Sequence, residues 1–287
     1  MRIIPGILTF FALSLMLCLG SNAQDRYVKA IMPAPVLNTV DFRSVFGGES
    51  GTEVKRDNQG LIRELEFIAL PNTLFKINAE YTDGETLIYE VTTKDYPYTS
   101  TQLFIDSRFV MDAENASDRS EALPTKEEII SRMEKVDGYQ YMWGGNFADG
   151  IKQLVEYYAP SSEISAPLKS QWCLEGVDCS GLLYQATNGN TPRNTSSLVY
   201  YGEAVDVEAK TPEEIAASLE PLDLIVWKGH VIIVIDKNTV IESSNPEGVH
   251  KTNLIDRLYS VMNDRTGVND YDSYNGKRFV IRRWHNN

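Results

Sequence analysis

Cysteine and histidine are scarce in this chain, three of each in 287 residues, and their scarcity excludes whole classes of chemistry. Neither HExxH nor paired CxxC occurs, so the ligand patterns of zinc peptidases and zinc fingers are absent. The GxSxG elbow of serine hydrolases and the glycine loops that cradle phosphates are missing too. Three cysteines are too few for a disulfide-built scaffold. Positive charge is also in short supply: 27 Lys and Arg face 40 Asp and Glu, a net charge of −13. Nucleic acid is therefore not expected as a partner, because phosphate binding relies on clustered cations. Beyond the N-terminus no apolar run is long enough to span a bilayer, so stable membrane insertion is not expected.

What is present begins with an export signal. Arg2, an apolar core from Ile7 to Leu19 and the small-x-small triplet Ser21-Asn22-Ala23 make residues 1–23 read as a cleaved signal peptide, leaving Gln24 first. Cys18 raises lipid attachment, but Leu17 stands where such sites usually carry a small residue, so anchoring there is not expected. The chain is expected to be exported, either periplasmic or extracellular. Loss of the leader would leave two thiols, Cys173 and Cys179, in a compartment where disulfides persist.

Two composition regimes follow. Residues 25–112 hold short runs rich in β-branched and aromatic residues, such as "TLFKINAEY" and "TLIYEVTT", with Asp83-Gly84 between them as a tight-hairpin signal. This is a small all-β domain of barrel or sandwich type. Residues 113–124 are polar and aperiodic and read as a linker. From 125 to 287 the pattern is helices first, opened by the capping boxes Thr125…Glu128 and Thr211…Glu214, then strands. "LDLIVW", "HVIIVI" and "TVIES" predict an antiparallel meander, and "KRFVIRRW" a last strand. The fold class is α+β.

The chemistry concentrates at "GVDCSGLLYQ", residues 176–185. Asp178 is a good N-cap and Leu182, Leu183 and Ala186 give an apolar face, so Cys179 becomes the first residue of a helix. Unpaired amides and the positive end of the dipole favour thiolate there and can hold an oxyanion. The bland alternative is a buried filler, or half of a disulfide with Cys173. A base is needed to decide, and His230 begins the strand "HVIIVI". A turn centred on Asp236 and Lys237 sets His230 directly opposite Glu242, within reach of a carboxylate–imidazole hydrogen bond. Glu242 is then the third group, which orients the imidazole.

These residues resemble the NlpC family of papain-like cysteine peptidases. The resemblance rests on Tyr141-Met142-Trp143-Gly144-Gly145, Asp178-Cys179-Ser180-Gly181-Leu182, Pro192-Arg193 with Thr195 and Ser196, Leu222-Asp223-Leu224, Gly229-His230-Val231 and Ile241-Glu242-Ser243, in family order over about residues 125–285. It implies a papain-like catalytic domain behind an N-terminal SH3-like barrel, with Cys179 as nucleophile, His230 as base and Glu242 as the orienting residue. It further implies that Tyr141 lies beside the nucleophile, that Asp178 receives a substrate ammonium, and that Ser180 and Ser196 line the site, with Trp143 in the same motif. Members with such a module cleave the γ-D-glutamyl to diamino acid bond, diaminopimelate or lysine, of peptidoglycan stem peptides with a free N-terminal L-alanine; this chain is expected to be a monomer and to need no cofactor or metal. Three departures stand out: Glu242 replaces a more usual His, Leu222 a more usual Gly, and the stretch between Gly145 and Asp178 is long. A noncatalytic wall-peptide binding module and an acyl transferase using the same thiol are the alternatives.

Overall fold

The computed structural model describes residues 25–113, 119 and 122–285. The signal peptide and part of the 113–124 linker thus lie outside the described residues. Arg119, within that linker, is not loose: its guanidinium pairs with Asp95 at 2.9 Å and donates to Thr73 at 2.9 Å.

The first half is built on one antiparallel sheet. Its elements are β1 (Tyr27–Ala30), β2 (Ala34–Leu37), α1 (Phe42–Val45), β3 (Phe46–Gly47), β4 (Glu53–Val54), β5 (Leu65–Ala69), β6 (Leu74–Asp83), β7 (Thr86–Thr92), β8 (Leu103–Asp106) and β9 (Val110–Asp112). Seven of the strands run in the order β5-β2-β8-β7-β6-β1-β9, while β3 and β4 form a separate pair. The β6–β7 hairpin closes at Asp83↔Thr86, and Gly84 takes the left-handed conformation (φ 62°) that glycine tolerates best.

The second half contains α2 (Lys126–Glu134), α3 (Leu154–Tyr157), α4 (Ala166–Trp172), α5 (Cys179–Ala186), α6 (Thr195–Leu198), β10 (Glu203–Val205), α7 (Pro212–Ser218), β11 (Leu224–Trp227), β12 (His230–Val234), β13 (Thr239–Ser244), β14 (Gly248–Asn253), α8 (Leu254–Asp264), β15 (Thr266–Gly267) and β16 (Arg278–Arg283). Both capping boxes form. The expected meander is β11–β12–β13, extended to the order β10-β16-β11-β12-β13-β14, with β15 beside β16. Alternation along the strands divides two packing layers. Val231, Ile233 and Ile241 meet Leu182 and Leu183 of α5 on one face, and Ile232, Val234 and Val240 meet Leu254 and Leu258 of α8 on the other. The chain is therefore a mixed helix and sheet structure, and among the described residues no helix is long and apolar enough to cross a membrane.

The long stretch between Gly145 and Asp178 has a structural use. Met142, Ile151, Leu154, Tyr158, Trp172 and Leu174 are buried in the same core as Phe42, Phe46, Phe67 and Phe109 of the β half. Tyr158 stacks on both Phe42 and Phe46, with centroids 5.9 and 5.4 Å away. Asn146 completes the junction: its amide donates to the carbonyl of Ile68 at 2.7 Å and accepts from the Ile68 amide at 2.9 Å, out of contact with solvent.

Candidate functional site

Cys179 is the first residue of α5, as the Asp178 cap signals. Asp178 Oδ1 accepts from the Gly181 amide at 2.6 Å, which ties down the first helical turn. The helix start is pressed against the 144–146 loop so closely that a Cβ on Gly181 would lie 2.0 Å from the Gly145 carbonyl oxygen. A Cβ on Gly144, whose φ is 68°, would likewise lie 2.4 Å from the Leu65 carbonyl oxygen of β5. The motif glycines thus seat the helix that begins at Cys179 on the loop and the loop on the β half. Cys173 and Cys179 are both buried and both free, so the disulfide alternative is not formed.

Asp178 is fully engaged. Arg193, 1% exposed, grips it with two bonds, Nη1 to Oδ1 at 3.0 Å and Nη2 to Oδ2 at 2.7 Å, and Ser180 Oγ donates to Oδ1 at 3.1 Å. Arg193 also donates to Asn146 at 3.0 Å and to the Gly145 carbonyl at 3.2 Å. Both oxygens of Asp178 are therefore occupied from within, and Ser180 is bound into the same network rather than pointing free into the cleft.

His230 and Glu242 meet, by a different register from the one expected. The β12–β13 pairs are Ile233↔Ile241 and Val234↔Val240, two residues out from a directly opposed His230 and Glu242. The loop is wider because Asp236 accepts from the Asn238 amide at 2.8 Å and moves the turn toward Lys237. A shift of two keeps both residues on one face, so they are diagonal neighbours, and glutamate is long enough to span the gap. His230 Nε2 lies 2.6 Å from Glu242 Oε2, which leaves Nδ1 as the ring nitrogen free to serve Cys179. Being first in its strand, His230 stands at the end of the sheet, where its ring can touch the α5 side and the α8 side together.

Electrostatics reinforce this placement. Burial opposes charge on His230, but its hydrogen bonds to Cys179 and Glu242 outweigh it and raise the imidazole to about 9. Burial opposes charge on Glu242 too, yet His230 and Arg257 hold its carboxyl down to about 2. Arg257 of α8 grips Glu242 with Nε to Oε1 at 2.6 Å and Nη2 to Oε2 at 2.9 Å. Burial and the neighbouring Asp178 and Cys179 push the Tyr141 hydroxyl above its ordinary value, so it stays protonated.

Around the sulfur is a cleft of about 300 Å³ between the two halves. Tyr141, Trp143, Asp178, Cys179, Ser180 and Ser196 all line it, so all the binding residues named from the sequence converge there, Ser196 as an exposed rim residue. The opposite wall is supplied by the β half: Arg63, Leu65, Glu66 and Tyr96. Glu66 is held by Tyr96 at 2.6 Å and Asn38 at 2.7 Å, and Arg63 lies 4.2 Å over the Trp143 ring. Sequence reasoning missed Arg63, Glu66, Tyr96, Arg193's grip on Asp178, and Arg257. Only Arg257 had a local signal, the N-cap Asn253 followed by Leu254, Leu258 and Val261 at helical spacing. Among the described residues no group of His, Cys, Asp and Glu could hold a metal ion.

Neither a family model nor a curated protein sequence matches the chain. Three solved structures to which it is similar are an NlpC/P60 family protein from Bacillus cereus, NlpC2 from Trichomonas vaginalis, and RipD from Mycobacterium tuberculosis. The Bacillus protein is 16% identical over 91% of this chain and 63% of its own, with a TM-score of 0.34, so this chain spans less than two thirds of that protein. NlpC2 is 14% identical over 91% and 73%, with a TM-score of 0.31. RipD, described as a non-catalytic NlpC/p60 domain protein adapted to peptidoglycan binding, is 16% identical over 55% and 95%, with a TM-score of 0.33. Likenesses this loose assign no role to a residue of the cleft, whose chemistry rests on its own geometry.

Proposed function

We propose that the chain is an exported cysteine peptidase that hydrolyses the γ-D-glutamyl to diamino acid bond of peptidoglycan stem peptides. The observation that supports the catalytic part is a helix-start thiol, Cys179, lining the cleft, with His230 following the cleft residues Lys228 and Gly229 in sequence and bonded to the buried carboxylate of Glu242. The Cys179 thiolate adds to the scissile carbonyl, and the first-turn amides stand where the oxyanion forms. His230, protonated at neutral pH, gives its proton to the leaving amine, and a thioester remains. Water, deprotonated by His230, then releases the acid and the thiol. Glu242 keeps the ring turned toward the sulfur.

The substrate class rests on the resemblance of the cleft motifs to the NlpC family and on the nature of the walls. With Asp178 committed to Arg193, the ammonium of an N-terminal L-alanine is better served by Glu66, whose carboxylate is held in place by Tyr96 and Asn38 in the β half. Acceptance of a free amine at a wall from the other half of the chain would restrict the enzyme to short turnover peptides. The test is mass spectrometry of L-Ala-γ-D-Glu-diaminopimelate with the mature protein and with Cys179→Ala, beside the N-acetylated peptide. Cleavage of the free-amine peptide alone, abolished in Cys179→Ala, is expected. Binding of the peptide by calorimetry without cleavage would leave a noncatalytic binding module instead.

A further inference from the structure

Glu242 is 1% exposed and stands between two cationic side chains. Its Oε2 is shared, 2.6 Å from His230 Nε2 and 2.9 Å from Arg257 Nη2, while Oε1 takes the second arginine bond at 2.6 Å. A lone buried carboxylate facing the imidazole would be a poor partner for catalysis. Its full charge, little screened, would hold the proton on the ring too tightly for release to a leaving amine. We propose that Arg257 is a positioning residue which cancels the charge of Glu242, so that His230 faces an oriented hydrogen-bond acceptor of no net charge. The inference deepens the peptidase reading above and rests on it for its catalytic meaning.

The geometry favours this over a mere surface ion pair. The guanidinium docks side-on with two bonds, which fixes the carboxylate plane and thereby the oxygen offered to the ring. Arg257 stands on α8, anchored by the buried Leu254, Leu258 and Val261, so its position is set by the core and not by the ion pair. The other charged groups facing this cluster are few. Cys179 of α5 acts on His230 from the cleft side, while Lys228, just before β12, has its ammonium over the Tyr200 and Tyr271 rings. His250 of β14 comes within 3.9 Å of Glu242 Oε1, its Nδ1 2.9 Å from the Gly248 carbonyl, and Glu247 sits in the β13–β14 turn, bound by Ser244. None of these offers Glu242 a second bidentate partner. The arrangement also accounts for an acid where the NlpC resemblance leads one to expect a neutral third residue: the neutral partner is assembled from two charged ones.

The test reads the proton affinity of His230 directly, by NMR titration of the imidazole nitrogens in the full mature chain. The resonances are assignable because histidine occurs three times, and His250→Gln and His285→Gln identify the other two. Arg257→Gln is expected to raise the pKa of His230 by about one unit, tenfold in proton affinity. Glu242→Gln, which strands the arginine, is expected to lower it, and the double variant to return it close to the wild-type value. Arg257→Lys, which keeps the charge, is expected to stay nearer wild type than Arg257→Gln. Shifts of opposite sign that cancel in the double variant are a signature that a purely structural arginine would not produce. An unchanged or lowered pKa in Arg257→Gln, or a double variant no closer to wild type than either single one, overturns the proposal. If Arg257→Gln does not fold, Arg257→Lys and the double variant, which buries no unpaired charge, decide it alone. Peptide cleavage is a separate arm: a wild-type protein without turnover refutes the peptidase reading, while the titration still stands or falls by itself.

Discussion

Two arginine–carboxylate pairs serve the site, a buried one beside Cys179 and a partly exposed one behind His230, and they differ in one respect that sorts their uses. Asp178 and Arg193 form a closed pair: two bonds between them, and the rest of the arginine spent on Asn146, Ser180 and the Gly145 carbonyl. Glu242 and Arg257 form an open pair, because one carboxylate oxygen is shared with a ring that gains and loses a proton. The closed pair can only hold the helix start in place. The open pair can hold a geometry and also follow a change of charge.

The largest expected effect breaks the closed pair. Arg193→Ala removes both arginine bonds from the buried Asp178, leaving it only Ser180 and the Gly181 amide, and should lower the free energy of unfolding by about 3 to 5 kcal/mol. Denaturant unfolding of the full mature chain would measure it. The same experiment on Arg257→Ala should show a clearly smaller loss, because the Arg257 side chain is 23% exposed and water can reach the vacated carboxylate. Equal losses would mean that the two pairs are not different in kind.

Next in size is the link from the closed pair to the β half. Asn146→Ala strands the Ile68 amide and carbonyl and one arginine nitrogen, and each buried group left unmade costs about 1 to 3 kcal/mol. With all three groups at the low end of that cost, a loss of about 3 kcal/mol is expected, no larger than that for Arg193→Ala, together with weakened protection of the Ile68 amide in hydrogen exchange. Unchanged protection would show that β5 is held without Asn146.

The smallest effect sharpens the open pair. His230 is raised from an ordinary 6.5 to about 9, so its contribution to stability is complete below 6.5 and lost as pH rises through 9. Glu242 is lowered from 4.5 to about 2, so its contribution is complete above 4.5 and lost as pH falls through 2. Stability from this cluster should therefore be greatest between the two ordinary values, declining above 6.5 as His230 loses its proton and below 4.5 as Glu242 gains one. Unfolding across these pH values checks it, and in Glu242→Gln the alkaline decline should shrink.

How much of this could be read in advance depends on the range of the interaction. Asp178, Cys179, Leu182 and Leu183 announced a helix start because capping and amphipathic spacing are local. His230 and Glu242 were found even with a register two residues out, since a shift of two preserves the face. The helix carrying Arg257 was legible from Asn253, Leu254 and Leu258 but went unread, and the open pair was missed with it. Glu66 and Tyr96 had no local signal, because they meet the site only through contacts far apart in sequence, while Arg193 stood in the Pro192-Arg193 motif with nothing to tell of its grip on Asp178. Leu222 illustrates the reverse case: its backbone is left-handed, φ 74°, which is why glycine is the more usual choice beside Asp223.

The aromatic and aliphatic side chains that the 142–174 stretch sends into the β half have a consequence for how such a chain can be cut or recombined. Sequence order puts the boundary of the β half near residue 113, but its core is finished by Met142, Ile151, Leu154, Tyr158, Trp172 and Leu174. A fragment ending at that boundary would bare the faces of Phe42 and Phe46 that Tyr158 covers. The first half is therefore no portable module to be spliced onto another protein: its interior is completed by the second half, on the same stretch of chain that leads directly to Cys179.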